Sequence, residues 1–386
     1  MRGPSSAEIV QRAEAMVPEL RARAAECEMK GCVSPEIASA LHQQGFLRLM
    51  QSSSYGGLER SPELLLDVSS ALASGCASTA WVASLFAVNS WIAARFHPRA
   101  QAELFGKDGQ AALPLVLNGA RTTELVASAD GFVVSGQWAY CSGIDLAEWV
   151  ALAAVQKQVG GDIQHLCLLP RADIRVEEGS WNVLGLRGTG SKNVAAVQVV
   201  VPMHRVVRVV DNEVEDRSGR ADDCRGLYRI PVIPLFASVL AALAVGIARG
   251  ALDGATKSVK RRGPTVVTLT RLGQIGAKIG LAEGALRSTF RRLEQAAVQQ
   301  APGMDALRVC ARSQAAEVAS LCVSAVRDSA SVAGGAAIMT GGQIERALRD
   351  VHTLASHALL SLDAPAEQHG RLLLDGTTAN AMDCDA

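Results

Sequence analysis

Residues 136–143 (Gly-Gln-Trp-Ala-Tyr-Cys-Ser-Gly) place two aromatics, a cysteine and a hydroxyl between two glycines. Glycine lets backbone approach a flat ligand closely. An aromatic offers a stacking face, and Ser142 offers one donor and two acceptor lone pairs. The same residues also describe a β-turn with aromatics plugged into a core. His357 carries an imidazole, the side chain that changes charge near neutral pH without help. One histidine on a helical face is also what a satisfied core residue looks like. Asn89 stands in Val88-Asn89-Ser90-Trp91. It can hydrogen bond but cannot act as a base near neutral pH. Trp81 and Trp91 could wall a pocket or fill a core.

The elements that must carry these residues fall into three segments. Residues 1–112 read as helical. Ser34-Pro35-Glu36 and Ser61-Pro62-Glu63 are helix starts, with a capping serine, a proline in the first turn and an acid suited to the dipole. Residues 113–212 hold short apolar runs split by Gly, Asp and Ser. Candidate strands are 113–117, 123–127, 132–135, 148–155, 165–169 and 195–201, with 136–143 as the loop between two of them. No helical period intervenes, so an antiparallel barrel or sandwich is expected. Residues 205–229 read as a charged connector within the boundary at 212/213. Residues 213–386 then form a helical bundle, with helices over 236–261, 268–299, 305–332, 343–362 and 366–374. The expected class is α+β.

Composition narrows the functions. Lysine plus arginine equals aspartate plus glutamate at 38 each, so no charge excess points to nucleic acid or a strongly charged partner. The nine cysteines are scattered and show no metal-ligand spacing, so no metal is expected. Reduced thiols in a cytoplasmic protein are the natural reading. The run 235–248 is uncharged but only 14 residues long, short of the roughly 20 a membrane span needs. With no polar face beyond Ser238, it also leads us to expect a homo-oligomer that covers it.

Helices, a β domain and a helical bundle at this length resemble the acyl-CoA dehydrogenase fold. Three motifs carry the resemblance. Residues 136–143 resemble a loop that covers the flavin ring, with Tyr140 at its aromatic and Ser142 at its hydroxyl. Residues 185–192 (Gly-Leu-Arg-Gly-Thr-Gly-Ser-Lys) with Val199-Val200-Val201-Pro202 resemble the loop and strand that close the β domain. Gly335, of the pair Gly334-Gly335, stands 14 positions before Arg349-Asp350, a spacing the family shows. The family's dehydrogenases place a glutamate base shortly after that pair. Here the run to His357 contains no glutamate. A histidine there, with Gly-Cys-Ala-Ser-Thr-Ala-Trp at 75–81, resembles the two-component flavin monooxygenases of the same fold.

That resemblance implies reduced flavin (FADH2 or FMNH2) taken from a separate NAD(P)H:flavin reductase, and O2 activated as a flavin hydroperoxide. The substrate would be a small organic molecule, hydroxylated or N-oxygenated. It implies a homo-oligomer, a tetramer by analogy. It places Ser142 and His357 as catalytic, with Asn89 where related phenol hydroxylases often carry histidine. It places Tyr140, Cys141, Ser142, Arg187, Gly188, Thr189, Gly334 and Gly335 against the cofactor, and Trp81, Asn89 and Trp91 around the substrate. Arg349 and Asp350 are expected to hold domains together. The register that would put a phosphate-binding arginine on the first bundle helix reaches Ser258 instead. Two rivals stay open: a dehydrogenase or oxidase of the same fold, and a flavin-binding scaffold without catalysis.

Overall fold

A computed structural model describes residues 4–106, 111–117, 123–218 and 226–375. Five helices come first: α1 (Ser6–Lys30), α2 (Pro35–Gln43), α3 (Pro62–Ala73), α4 (Ala77–Ala93) and α5 (Pro98–Phe105). Their starts follow local chemistry. Ser34 and Ser61 accept from backbone N–H groups of their own first turns, each with proline just inside. At α1, Ser5 and Glu8 cap each other reciprocally, and Gly31 in the left-handed region closes the helix. In α4 every residue but Leu85 is buried, so the helix is apolar on all sides and sits inside the domain.

The β domain has two sheets. One orders as β1 (Leu115–Val116), β4 (Trp149–Gln156), β5 (Ile163–Pro170), β8 (Val206–Val210) and β9 (Glu213–Val214). The other orders as β2 (Thr123–Ser128), β3 (Gly131–Cys141), β7 (Lys192–Val201) and β6 (Arg175–Glu177). All pairings are antiparallel except β1 with β4, which is parallel. Phe132, Trp138, Leu152, Cys167 and Leu169 fill the space between the sheets. Trp138 Nε1 donates to the Ala153 carbonyl at 2.6 Å and ties one sheet to the other.

Two expectations change here. Residues 136–141 are strand, because Gln137 and Trp138 pair with Ala195 and Val194 of β7. The register then shifts between Trp138 and Cys141, and only Ser142-Gly143 turns away. The stretch 205–229 is not all connector. Val207 and Val209 are buried beside exposed Arg208 and Val210, and β8 joins the sheet between β5 and β9.

The bundle comprises α6 (Val232–Arg262), α7 (Val266–Gln299), α8 (Met304–Ala333), α9 (Gln343–Ala355) and α10 (Asp363–Leu374). Among the described residues α6 is the one helix long and apolar enough to cross a membrane, but 83% of its apolar window is buried within this chain. Helices α3, α7, α8 and α9 cover it. The need for a second copy to cover 235–248 therefore disappears. Helix α9 is shorter than expected and ends at Ala355; His357 caps a separate 3₁₀ turn, Ala358–Leu360. Of the nine cysteines, the seven that are described are free thiols; Cys224 and Cys384 lie outside the described residues.

Candidate active site

Four stretches distant in sequence meet around Trp81 and Ser142. Helix α4 contributes Trp81, whose Nε1 donates to Ser142 Oγ at 3.1 Å. The end of β3 contributes Ser142 itself, 8% exposed. The turn after it is left-handed at Gly143, and a β-carbon there would strike Phe86 and Val82 of α4. The loop between β6 and β7 contributes Ser191, 2.7 Å from Ser142 Oγ, and Thr189, 2.7 Å from Ser191 Oγ. The turn after α9 contributes His357, whose ring meets Trp81 edge-on with centroids 5.8 Å apart.

The loop is held from α9. Asp350 Oδ1 accepts from Leu186 N at 2.6 Å, Thr353 Oγ1 accepts from Gly185 N at 2.9 Å, and Arg349 donates to the Leu184 carbonyl at 3.1 Å. Gly185 has to be glycine, since a β-carbon would overlap the Arg349 carbonyl. Arg349 also pairs with Glu345 and with Glu28 of α1, which Arg346 pairs with too. The Arg-Asp pair thus fastens the first helix, the β-domain loop and the bundle to one another.

Electrostatics set the protonation states. Burial lowers the pKa of His357 below 6.5. Its Nδ1 accepts from Leu359 N at 3.2 Å, so the neutral ring carries its hydrogen on Nε2. A titration within pH 6–7 is therefore moved to lower pH. Burial also raises Asp350 to about 7, against the opposing hydrogen bond from Leu186.

The other expected site residues fall in different places. Tyr140 is 70% exposed, has φ +65° and meets Trp181 edge-on at 6.0 Å. A non-glycine residue held there with its ring in the open is what a ligand platform needs. Cys141 points the other way, into the β core, and burial pushes its thiol up to about 12. It offers a ligand main chain only. Gly188 is packed on Cys27 of α1, and Arg187 is exposed, its Nε on the Val183 carbonyl. Asn89 is 2% exposed; Nδ2 donates to the Leu113 carbonyl at 2.8 Å, and Oδ1 has no partner among the described residues. Trp91 is not joined to this cluster: its N–H goes to Leu227, and Arg95 stacks on its ring at 3.8 Å. Gly334 follows α8 beside Arg262, and Ser258 is buried with its hydroxyl on the Ala333 carbonyl. Ser258 is thus a tie between α6 and α8 and offers no phosphate contact.

Ser191, Leu186 and Trp181 receive no role from sequence. Thr189 and Ser191, hydroxyls on either side of Gly190, were the available signal; the left-handed turn at Gly190 brings them together. No local pattern marks Trp181.

The architecture is that of the acyl-CoA dehydrogenases, and residues 238–362 match the family model for the acyl-CoA dehydrogenase C-terminal domain. Within that fold its relatives are oxygenase components of flavin-dependent monooxygenases. The chain is 29% identical to the oxygenase subunit HsaA of a flavin-dependent monooxygenase from Rhodococcus jostii (strain RHA1), over 90% of this chain and 94% of that one. It is 27% identical to the oxygenase component of an FADH(2)-dependent resorcinol hydroxylase from Rhizobium sp. (strain MTP-10005), over 95% and 94%. The crystal structure of 3-HSA hydroxylase from Rhodococcus sp. RHA1 superposes with a TM-score of 0.89 at 28% identity, covering 95% of this chain and 97% of that one.

Proposed function

We propose that this chain takes reduced flavin from a separate NAD(P)H:flavin reductase and uses it with O2 to insert one oxygen atom into a small aromatic or natural-product substrate. The balance is reduced flavin, O2 and substrate C–H or N–H giving oxidised flavin, hydroxylated substrate and water. The observation that carries the reading is the convergence of Trp81, Ser142 and His357 beside the exposed Tyr140 and the half-buried Trp181.

Reduced flavin supplies the oxygen activation. The residues fit such a group: a flat ring could lie on the Tyr140–Trp181 side and present its N5 edge to Ser142. Ser142 then holds the N5 hydrogen, and His357 presents an Nε2–H donor. Trp81 and Leu186, both buried, exclude water. Asn89 Oδ1, buried and unpartnered, suits a substrate O–H or N–H as an acceptor. Among the described residues no carboxylate hydrogen-bonds any of Trp81, Ser142, Ser191, Thr189 or His357. That favours oxygenation over carbon-proton abstraction, which needs a strong positioned base.

Arg187, Gly188, Thr189, Gly334 and Gly335 stay as proposed cofactor contacts, and Trp91 as support for the pocket behind Asn89. The proposed segments are 1–112, 113–212 and 213–386, with the site where they meet. The proposed setting is cytoplasmic, in keeping with free thiols. FAD is our choice over FMN, because the relatives by sequence include an FADH(2)-dependent enzyme.

We tie the proposed homotetramer to α7. Gly273, Gly276, Gly280 and Gly284 share one face with nothing packed on it, beside exposed Val266, Leu269 and Leu281. Sedimentation should give a species well above 40 kDa at micromolar concentration. A monomer throughout would remove this part of the reading.

The activity test is direct. Photoreduced FAD, the protein and a panel of phenols and indoles are mixed without oxygen, then ¹⁸O2 is admitted. One labelled oxygen atom in the product is expected. NADH or NADPH with FAD and this chain alone should be consumed no faster than without the chain, because no glycine-rich nicotinamide fingerprint opens a helix after a strand. Rapid NAD(P)H consumption would refute the two-component reading.

A further inference from the structure

Four hydrogen bonds run in line through the site. Trp81 Nε1 donates to Ser142 Oγ at 3.1 Å, Ser142 Oγ meets Ser191 Oγ at 2.7 Å, Ser191 Oγ meets Thr189 Oγ1 at 2.7 Å, and Thr189 Oγ1 donates to the Leu186 carbonyl at 2.9 Å. The two inner bonds join hydroxyls, so distance does not say which atom donates. The ends of the chain do. An indole N–H can only donate, and a carbonyl can only accept.

The indole and the three hydroxyls supply four hydrogens for four bonds. All four form only if every hydroxyl passes its hydrogen the same way, from Trp81 toward Leu186. Reversing the inner bonds leaves the bond to Leu186 unmade and turns the Ser142 hydrogen outward. A head-to-tail chain also polarises itself, so each bond strengthens the next. The Leu186 carbonyl accepts Thr189 N and Trp181 Nε1 as well, both at 3.1 Å, and the Thr189 hydroxyl is the nearest of the three donors. Ser142, Ser191 and Thr189 are 8%, 3% and 1% exposed, which keeps bulk water from breaking the sequence.

We propose that this relay makes Ser142 a pure acceptor toward its ligand, so that the site discriminates reduced from oxidised flavin, with Ser191 and Thr189 as the positioning residues that set the polarity. The proposal rests on the flavin reading above. Ser142 receives a hydrogen from Trp81 and gives its own to Ser191. A lone pair, and no hydrogen, is left for the ligand. Reduced flavin carries a hydrogen on N5; oxidised flavin carries a lone pair there. An acceptor facing N5 attracts the first and repels the second. A protein that receives its flavin from a separate reductase is thereby biased to take it up reduced and let it go oxidised. Leu186, its N–H on Asp350, anchors the far end of the relay.

The test is equilibrium binding of oxidised FAD in air and of reduced FAD under anaerobic conditions. It compares wild type, Ser191→Ala, Thr189→Val and Thr189→Ser, with thermal unfolding reporting the fold. Wild type should hold reduced FAD more tightly. In Ser191→Ala the Ser142 hydrogen loses its acceptor. In Thr189→Val the Ser191 hydrogen loses its own and can turn back onto Ser142. Either change lets Ser142 donate to oxidised flavin, and the preference for the reduced form should fall by at least about fivefold, the low end for a buried hydrogen bond. Thr189→Ser keeps the hydroxyl and should keep the wild-type preference. An unchanged or larger preference in both Ser191→Ala and Thr189→Val overturns the relay, as does tighter binding of oxidised FAD by wild type. In those outcomes the flavin reading stands. Wild type that binds neither form overturns the flavin reading and the relay with it.

Discussion

Ser142→Ala should lower product formed per reduced flavin consumed by about 5- to 150-fold, with free hydrogen peroxide rising to match. The range is the cost of losing one buried hydrogen bond, about 1–3 kcal/mol, expressed as a rate ratio. Oxygen should still be consumed, because the flavin supplies that reactivity; what fails is its delivery to the substrate. The variant also leaves the Trp81 N–H and the Ser191 hydroxyl without their shared partner, so its unfolding curve has to be recorded beside the kinetics. His357→Ala should also lower product, with hydrogen peroxide accounting for the reduced flavin that yields none. Its effect should carry the pH signature. The folded-state pKa of His357 lies below 6.5, so the neutral ring persists through neutral pH and is lost only as the solution becomes acidic. The histidine-dependent part of the product yield should fall as the solution becomes acidic, and the stability His357 contributes as a neutral group should fall in the same direction. Coupling as efficient as wild type in both variants would show that neither residue has the role assigned to it.

Asp350→Asn should abolish a loss of stability that wild type shows as pH rises. The carboxyl is buried, and its pKa stands at about 7 against an ordinary 3.8. Burial is the main cause, opposed by Leu186 N–H and by Arg349, and reinforced by Cys76 and Glu28. Between those two values the folded chain keeps a proton that the unfolded chain has released. Stability therefore falls with rising pH across that window and levels off above it. From pH 5 to pH 8 the loss attributable to Asp350 is about 2–3 kcal/mol, at about 1.4 kcal/mol per unit of pKa. Asparagine still accepts from Leu186 N and has no charge to bury, so the variant should hold its denaturation midpoint over the same range. The comparison is chemical unfolding of both proteins at pH 5 and pH 8. Equal losses in the two would mean that Asp350 is ionised in the folded state. Because Asp350 holds Leu186, the experiment also probes the anchor of the hydroxyl relay.

Much of the frame is legible in the sequence because it is local. Ser34-Pro35 and Ser61-Pro62 start helices through bonds within their own first turns. The valines around 199–201 declare a strand by their β-branched side chains. Errors came where distant partners decide. Residues 136–141 contain glycine and resemble a loop, yet β7 makes them strand. The run 235–248 has no polar face, yet the rest of the bundle wraps it, so its composition says nothing about a second copy.

The site divides in the same way. Ser142, His357, Trp81 and Asn89 could be nominated from residue type and resemblance. What each does depends on what it touches. Ser142 is bonded to residues 61 positions earlier and 49 later, and Leu186 to one 164 positions later. The sequence by itself determined the helix starts, the strand alternation and the supply of hydroxyl, indole and imidazole groups, because those follow from covalent neighbours and side-chain chemistry. The tertiary structure alone decided that Ser142 gives its hydrogen away, that burial lowers the pKa of His357 and that burial raises that of Asp350. Donor direction and pKa are properties of a surrounding, and these surroundings are assembled from chain segments that only folding brings together.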